Sequence, residues 1–270
     1  MNKHIKFFII ITILLIMVNS CDKLDQGADN SKRVVPDSTT GITATAETPL
    51  VEFTAEVMEA NDALLVTPNS DSNEYKSSDK IAVNVRNAKI IDKAGEAISI
   101  SDIMAGDRVK ISYNGVIAES YPAQITATSL QVTGHNKLID GYLALVDDIY
   151  QEDSGLNSDI EMIALDTTGW VELSAMEKEI ILMKMKDIYK VEIVEGTFEE
   201  LAKQGMIDKK NLYFPKGVLI TISEMKYKKD KITCGIEKWR SGLGAIGSDK
   251  VTAKYKNGKW TISKDGMWIS

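Results

Sequence analysis

The sequence predicts an α+β protein in which a small all-β unit precedes a domain with an antiparallel sheet and helices on one face. Three observations predict it. Residues 50–134 alternate apolar and polar side chains with the period-two pattern of half-buried strands. Leu138, Tyr142, Leu145 and Ile149 then recur at helical spacing, and two helix starts follow at Ser174 and Thr197. From Val218 onward strand patterns return, and Asn257-Gly258 between the last two is the strongest short hairpin signal in the chain.

Residues 1–20 form a leader: Lys3 and Lys6, an apolar run from Phe7 to Val18, and a short exit at Asn19-Ser20. The run holds twelve residues, whereas a helix crossing the hydrocarbon layer needs about 20, so a secretory signal is the better reading than an uncleaved anchor. Val18-Asn19-Ser20-Cys21 resembles the bacterial lipobox, although Asn19 departs from the usual small residue. That resemblance implies cleavage before Cys21, a lipid on its sulfur, and a place on the extracytoplasmic face of the cell membrane. Two acyl chains, at about 0.8 kcal/mol per buried methylene, hold firmly.

Residues 21–49 are rich in Ser, Thr, Asp, Gly and Ala and poor in large apolar side chains, which predicts a disordered tether. The chain is acidic, at −7, and the leader removes two lysines more. No block of Lys or Arg offsets this, so nucleic acid is excluded as a partner. With Cys21 lipidated, Cys234 has no disulfide partner. It lies in the apolar phase of Ile232-Thr233-Cys234-Gly235-Ile236, as a buried thiol would.

In residues 50–134, Val51, Phe53, Ala55 and Val57 share one face. Ile81, Val83 and Val85 share another, as do Val109, Ile111 and Tyr113. Ile125 and Ala127 are out of phase with Leu130 and Val132, which predicts a bulge between them. Five or six short strands with a brief turn near Ser101 to Ala105 predict a small OB-like barrel. Ile90-Ile91-Asp92-Lys93-Ala94-Gly95, Gly106-Asp107-Arg108-Val109 and the segment Glu119-Ser120-Tyr121-Pro122-Ala123 resemble a domain of unknown function found in secreted lipoproteins of Gram-positive bacteria. The resemblance spans about residues 51–132 and lends no activity. Glu119 and Tyr121 are candidate ligand contacts on the barrel rim, against a purely conformational role for a tyrosine beside Pro122.

In residues 135–270, Ser174 with Glu177 and Thr197 with Glu200 are capping boxes, Ile181, Met185 and Ile188 continue the second stripe, and Gly205 suits the position after the third helix. Strands are predicted at 218–227, 232–239, 251–255 and 260–262. Tyr142 to Asp148, Glu152 to Asp159 and Lys238 to Ala245 resemble an extracytoplasmic domain appended to beta-lactam-sensor-type membrane metallopeptidases. That resemblance implies sensing or partner contact without catalysis. The zinc motif His-Glu-x-x-His does not occur.

Three constellations invite a sharper reading. Gly242 to Gly247 spells G-x-G-x-x-G, but the helix and further βαβ unit of a dinucleotide site have no room in the short stretch left before Ser270, so no cofactor is expected. Asp147, Asp148, Glu152, Asp153, Asp159 and Glu161 suggest calcium, yet Ser158 and Ala164 stand where an EF-hand needs Gly and Glu, and a solvated helix end explains them. Trp239 and Arg240 beside the glycines are the strongest candidates for holding a small anionic ligand, against a core Trp and a paired Arg.

Outside the leader there is one histidine, His135, and no nucleophile elbow, so a Ser-His-Asp relay has no support. The expectation is therefore a non-catalytic binding or sensing module with a membrane anchor, whose partner is an envelope protein or a small anion. A carboxylate-based envelope hydrolase and a scaffold contacting another membrane protein are the alternatives.

Overall fold

The structure, a computed structural model, describes residues 49–61 and 63–270. The leader, Cys21 and most of the predicted tether lie outside the described residues. Among the described residues, thirteen strands and four α-helices come in the order β1 (Val51–Ala60), β2 (Leu64–Pro68), α1 (Asn73–Ser77), β3 (Ile81–Asn84), β4 (Lys89–Ile91), β5 (Asp107–Tyr113), β6 (Ala123–His135), α2 (Lys137–Gln151), β7 (Met162–Asp166), α3 (Ala175–Tyr189), β8 (Glu192–Glu195), α4 (Phe198–Lys203), β9 (Gly217–Lys228), β10 (Lys231–Ser241), β11 (Gly244–Lys256), β12 (Lys259–Lys264) and β13 (Trp268–Ile269). Among the described residues no helix is long and apolar enough to cross a membrane.

The first sheet runs β3-β2-β1-β5-β6, and a parallel β3–β6 pairing closes it into a five-stranded barrel; β4 adds to β6 outside the ring. This is the OB-like connectivity that the strand patterns predict. Inward positions fill the core with Phe53, Val57, Ile81, Val83, Val109, Ile111, Ile125 and Leu130. Ser112 pairs with Ser129 and Tyr113 with Ala127, which leaves Thr128 as the extra residue of the predicted bulge. A second irregularity, between Val57 and Glu59 in β1, frees Met58 from the barrel, and its side chain joins the core of the second half.

The second sheet runs β12-β11-β10-β9-β7-β8, with β13 on β11. Strands β9 to β12 form the predicted antiparallel meander. Its β11–β12 turn has Asn257 and Gly258 both at positive φ, as the hairpin signal requires. Strands β7 and β8, which the alternation does not reveal, add parallel to the β9 edge and make the sheet mixed. The long helices α2 and α3 cover one face, burying Leu138, Tyr142, Leu145, Ile149, Ile181 and Met185 against Ile163, Leu165, Val218 and Ile220. Ser174 and Thr197 form the expected capping boxes. Ile188 leaves the predicted stripe and is exposed, because α3 ends one residue later and Tyr189 packs against Tyr150 in its place.

The short helix α4 departs from the one-face arrangement. Ala164 and Leu219 alternate onto the far face of the sheet, where Leu201 and Phe214 cover them. The described residues cluster as one compact unit, so barrel and second half pack as neighbours. Strand β6 runs straight into α2, and Lys80 meets Glu179 of α3 at 2.5 Å across the junction.

Candidate functional site

An open groove of about 500 Å³ lies on the barrel's outer wall where β3 and β6 run parallel. Pairing sets Ala82 beside Gln124 and Asn84 beside Thr126. Strand alternation sends Val83 and Ile125 into the core, so Asn84, Gln124 and Thr126 remain on the exposed side. The loop after β5 supplies Asn114, Val116 and Ala118, the turn after β3 supplies Arg86, and Ala63 adds to the lining.

Local hydrogen bonds fix these groups. Asn84 Oδ1 accepts from the Arg86 N–H at 3.1 Å, Asn114 Oδ1 accepts from the Val116 N–H at 3.1 Å, and Gln124 Nε2 donates to Ser120 Oγ at 3.1 Å. Among the described residues the Arg86 guanidinium has no hydrogen bond or ion pair, and none of those that line the groove carries a carboxylate. The wall thus offers amide groups, a hydroxyl and one cation to a polar or anionic ligand.

Residues 53–133 match the family of proteins of unknown function DUF3221. The DUF3221 match begins in β1 and ends near the close of β6, so it covers the barrel and its groove. None of the curated proteins compared with the chain matches it.

Glu119 and Tyr121 lie on the loop that borders the barrel groove, but both are exposed and neither lines it; Tyr121 is 70% exposed. The Tyr121–Pro122 peptide is cis. Trp239 and Arg240 belong to β10, in the other sheet, so the four candidates form no common site. Trp239 packs edge-on against Phe198, with ring centres 5.1 Å apart, as part of the α4-side core. Arg240 Nη1 donates to the carbonyls of Leu156 at 2.8 Å and Ser158 at 2.6 Å, and Nη2 reaches that of Pro215 at 3.5 Å. Backbone carbonyls thus engage the guanidinium that the sequence offers to an anion. The sequence also reads Gly242 to Gly247 as a turn between strands. Its first two residues are that turn, and Gly244 begins β11.

The acidic stretch after α2 is organised by lysines. Lys264 pairs with Asp148 at 2.8 Å and with Glu152. Lys238, fully buried, donates to the carbonyls of Tyr150 at 2.9 Å, Asp153 at 3.1 Å and Glu152, and to Asn157 Oδ1 at 3.0 Å. These donors satisfy the carbonyls that end α2 and the turn beyond it.

The titratable groups with catalytic potential sit at the junction of barrel and second half. His135 contacts Asp107 through Nδ1 and Asp140 through Nε2, each at 2.7 Å, and these hydrogen bonds push its pKa up to about 9. An imidazolium held at both nitrogens has no lone pair for general-base work. Beside it, Asn136 Nδ2 donates to Glu56 at 2.9 Å and to Glu177 at 2.5 Å. Burial, with the charge of Glu177, raises the Glu56 pKa to about 7. The two acids thus share one amide donor, but Glu177 is also the capping-box residue of α3, and neither acid lines the barrel groove.

Proposed function

We propose that the chain is a lipid-tethered extracytoplasmic protein that binds, without transforming, a polar ligand in the groove of its DUF3221 barrel. The observation that carries the reading is the groove itself, where, among the described residues, amides and an unpaired guanidinium line an open wall with no carboxylate and no base. The leader and Cys21 support the address, since a twelve-residue apolar run ending at a lipobox-like cysteine suits export and acylation better than a span. The second half supports a partner-contact role by its resemblance to a sensor-appended domain. The hydrolase alternative loses ground because Glu56 and Glu177 both serve packing contacts, and His135 is tied on both sides.

The test uses full-length protein in its own cells, fed a labelled fatty acid and carrying a photocrosslinking residue at position 124. Lipid label should vanish in C21A, and a ligand adduct should form at position 124 but not at a control position 252 on β11. Unchanged labelling in C21A would remove the anchor. Absence of any adduct at 124 would remove the groove as the binding site.

A further inference from the structure

Arg86 lines a second groove as well as the first. This neighbouring chamber, about 420 Å³, shares Asn84 and Arg86 with the polar groove and is otherwise walled by Val85, Ala88, Ile90, Ile98, Ser99 and Ile100. Its aliphatic residues rest on the barrel core, so the chamber has a packed apolar floor. The guanidinium therefore stands at the boundary between an amide-lined trough and an aliphatic one. It rises from the turn Val85 to Ala88, which the Ala88 N–H closes onto the Val85 carbonyl at 3.0 Å.

Resting on the binding role in the polar groove, we infer that this two-chamber trough takes an extended peptide that ends in a free carboxylate on an aliphatic residue. The terminal carboxylate meets the Arg86 guanidinium, whose fork of N–H donors matches it in a bidentate pair. The last side chain enters the chamber of Val85, Ile90, Ile98 and Ile100. The preceding peptide groups run along Asn84, Asn114 and Gln124, whose amides donate to and accept from a main chain equally well.

Two features single out this ligand class. Charge is the first: the chain holds 39 acidic against 32 basic residues, yet among the described residues neither lining contains a carboxylate and the one cation there is unpaired. An anionic group is thus admitted at this spot on a protein that repels it elsewhere. The second is the absence of aromatic side chains from both linings, which leaves no stacking platform for nucleobases or sugar rings. A single guanidinium is also too little for a phosphate polymer.

The experiment presents purified full-length protein with two random tetrapeptide pools, identical except that one ends in free carboxylates and the other in amides. Retention of the acid pool should exceed that of the amide pool by at least tenfold, and the retained peptides should end in Val, Leu or Ile. R86Q, an exposed turn substitution checked for an unchanged unfolding midpoint, should abolish the preference, and I98A should relax the choice of last residue. Equal retention of the two pools, retention of neither, or a preference that survives R86Q would overturn the inference. A glycan adduct at position 124 in cells, with no peptide retained, would overturn the peptide and leave the groove reading standing; no adduct and no retention would remove both.

Discussion

His135 Nδ1 lies 2.7 Å from Asp107 Oδ1, and this contact ties the end of the last barrel strand to the start of β5 at the point where the chain enters α2. Asp140 of α2 holds the other ring nitrogen, and Lys184 of α3 reaches Asp140 at 3.5 Å and the Ala105 carbonyl at 3.2 Å. The folded pKa of about 9 exceeds the ordinary 6.5, so the folded state holds the proton more tightly. By linkage, the contribution to stability is complete below about pH 6.5 and is lost as pH rises through about 9. Its full size is on the order of 3 kcal/mol. Urea unfolding midpoints should fall across that window, and H135Q should flatten the slope. A wild-type curve that is level from pH 6.5 to 9 would disprove the coupling.

Glu56 predicts an effect at lower pH. Its pKa is raised to about 7 chiefly by burial, so ionising it in the folded state is unfavourable and stability declines between about pH 4.5 and 7. E56Q keeps an oxygen to accept from Asn136 and removes the charge facing Glu177. It should therefore stabilise the protein at pH 8 by roughly 1–3 kcal/mol, seen as a higher melting midpoint, and leave it unchanged at pH 4. A variant less stable than wild type at pH 8 would count against a buried, strained carboxylate.

These contacts mark the limit of what was legible in the chain. Local signals carried well: the α2 stripe, the Ser174 and Thr197 capping boxes, the Thr128 bulge and the Asn257-Gly258 turn each depend on residues a few positions apart. Strands β7 and β8 did not, because their parallel partners are joined through helices and their short apolar runs show no alternation. The groove was equally hidden, since it exists only where β3 and β6 close the barrel, although Asn84 and Arg86 stand in the outward phase of the β3 pattern. Arg240 reads as a free cation until carbonyls 84 and 82 positions upstream are seen to occupy it.

Lys238 should prove essential to the fold. Burial pulls its pKa down to about 8, but three carbonyls and Asn157 Oδ1 surround the ammonium and satisfy it. In K238M the apolar chain fills the same space while those acceptors lose their donor, at a cost of roughly 2–4 kcal/mol. Amide hydrogen exchange should quicken over residues 150–158 in particular. Faster exchange confined to the barrel, or none at all, would contradict the clamp.

Cys234 offers a test of packing by chemistry. The thiol is 5% exposed among the side chains between α2 and the sheet, and burial pushes its pKa up to about 12. Only the thiolate reacts readily, and at pH 8 it would amount to about one molecule in ten thousand even if the reagent reached it. In C21A, where Cys234 is the one remaining cysteine, a maleimide at pH 8 should leave the folded protein unmodified for hours and label it within minutes in urea. The labelling rate in water then reports transient opening of this core, so K238M should raise it by about the factor by which it lowers stability if opening there is global. Rapid labelling of the folded C21A protein would mean that β10 does not hold its apolar face against α2.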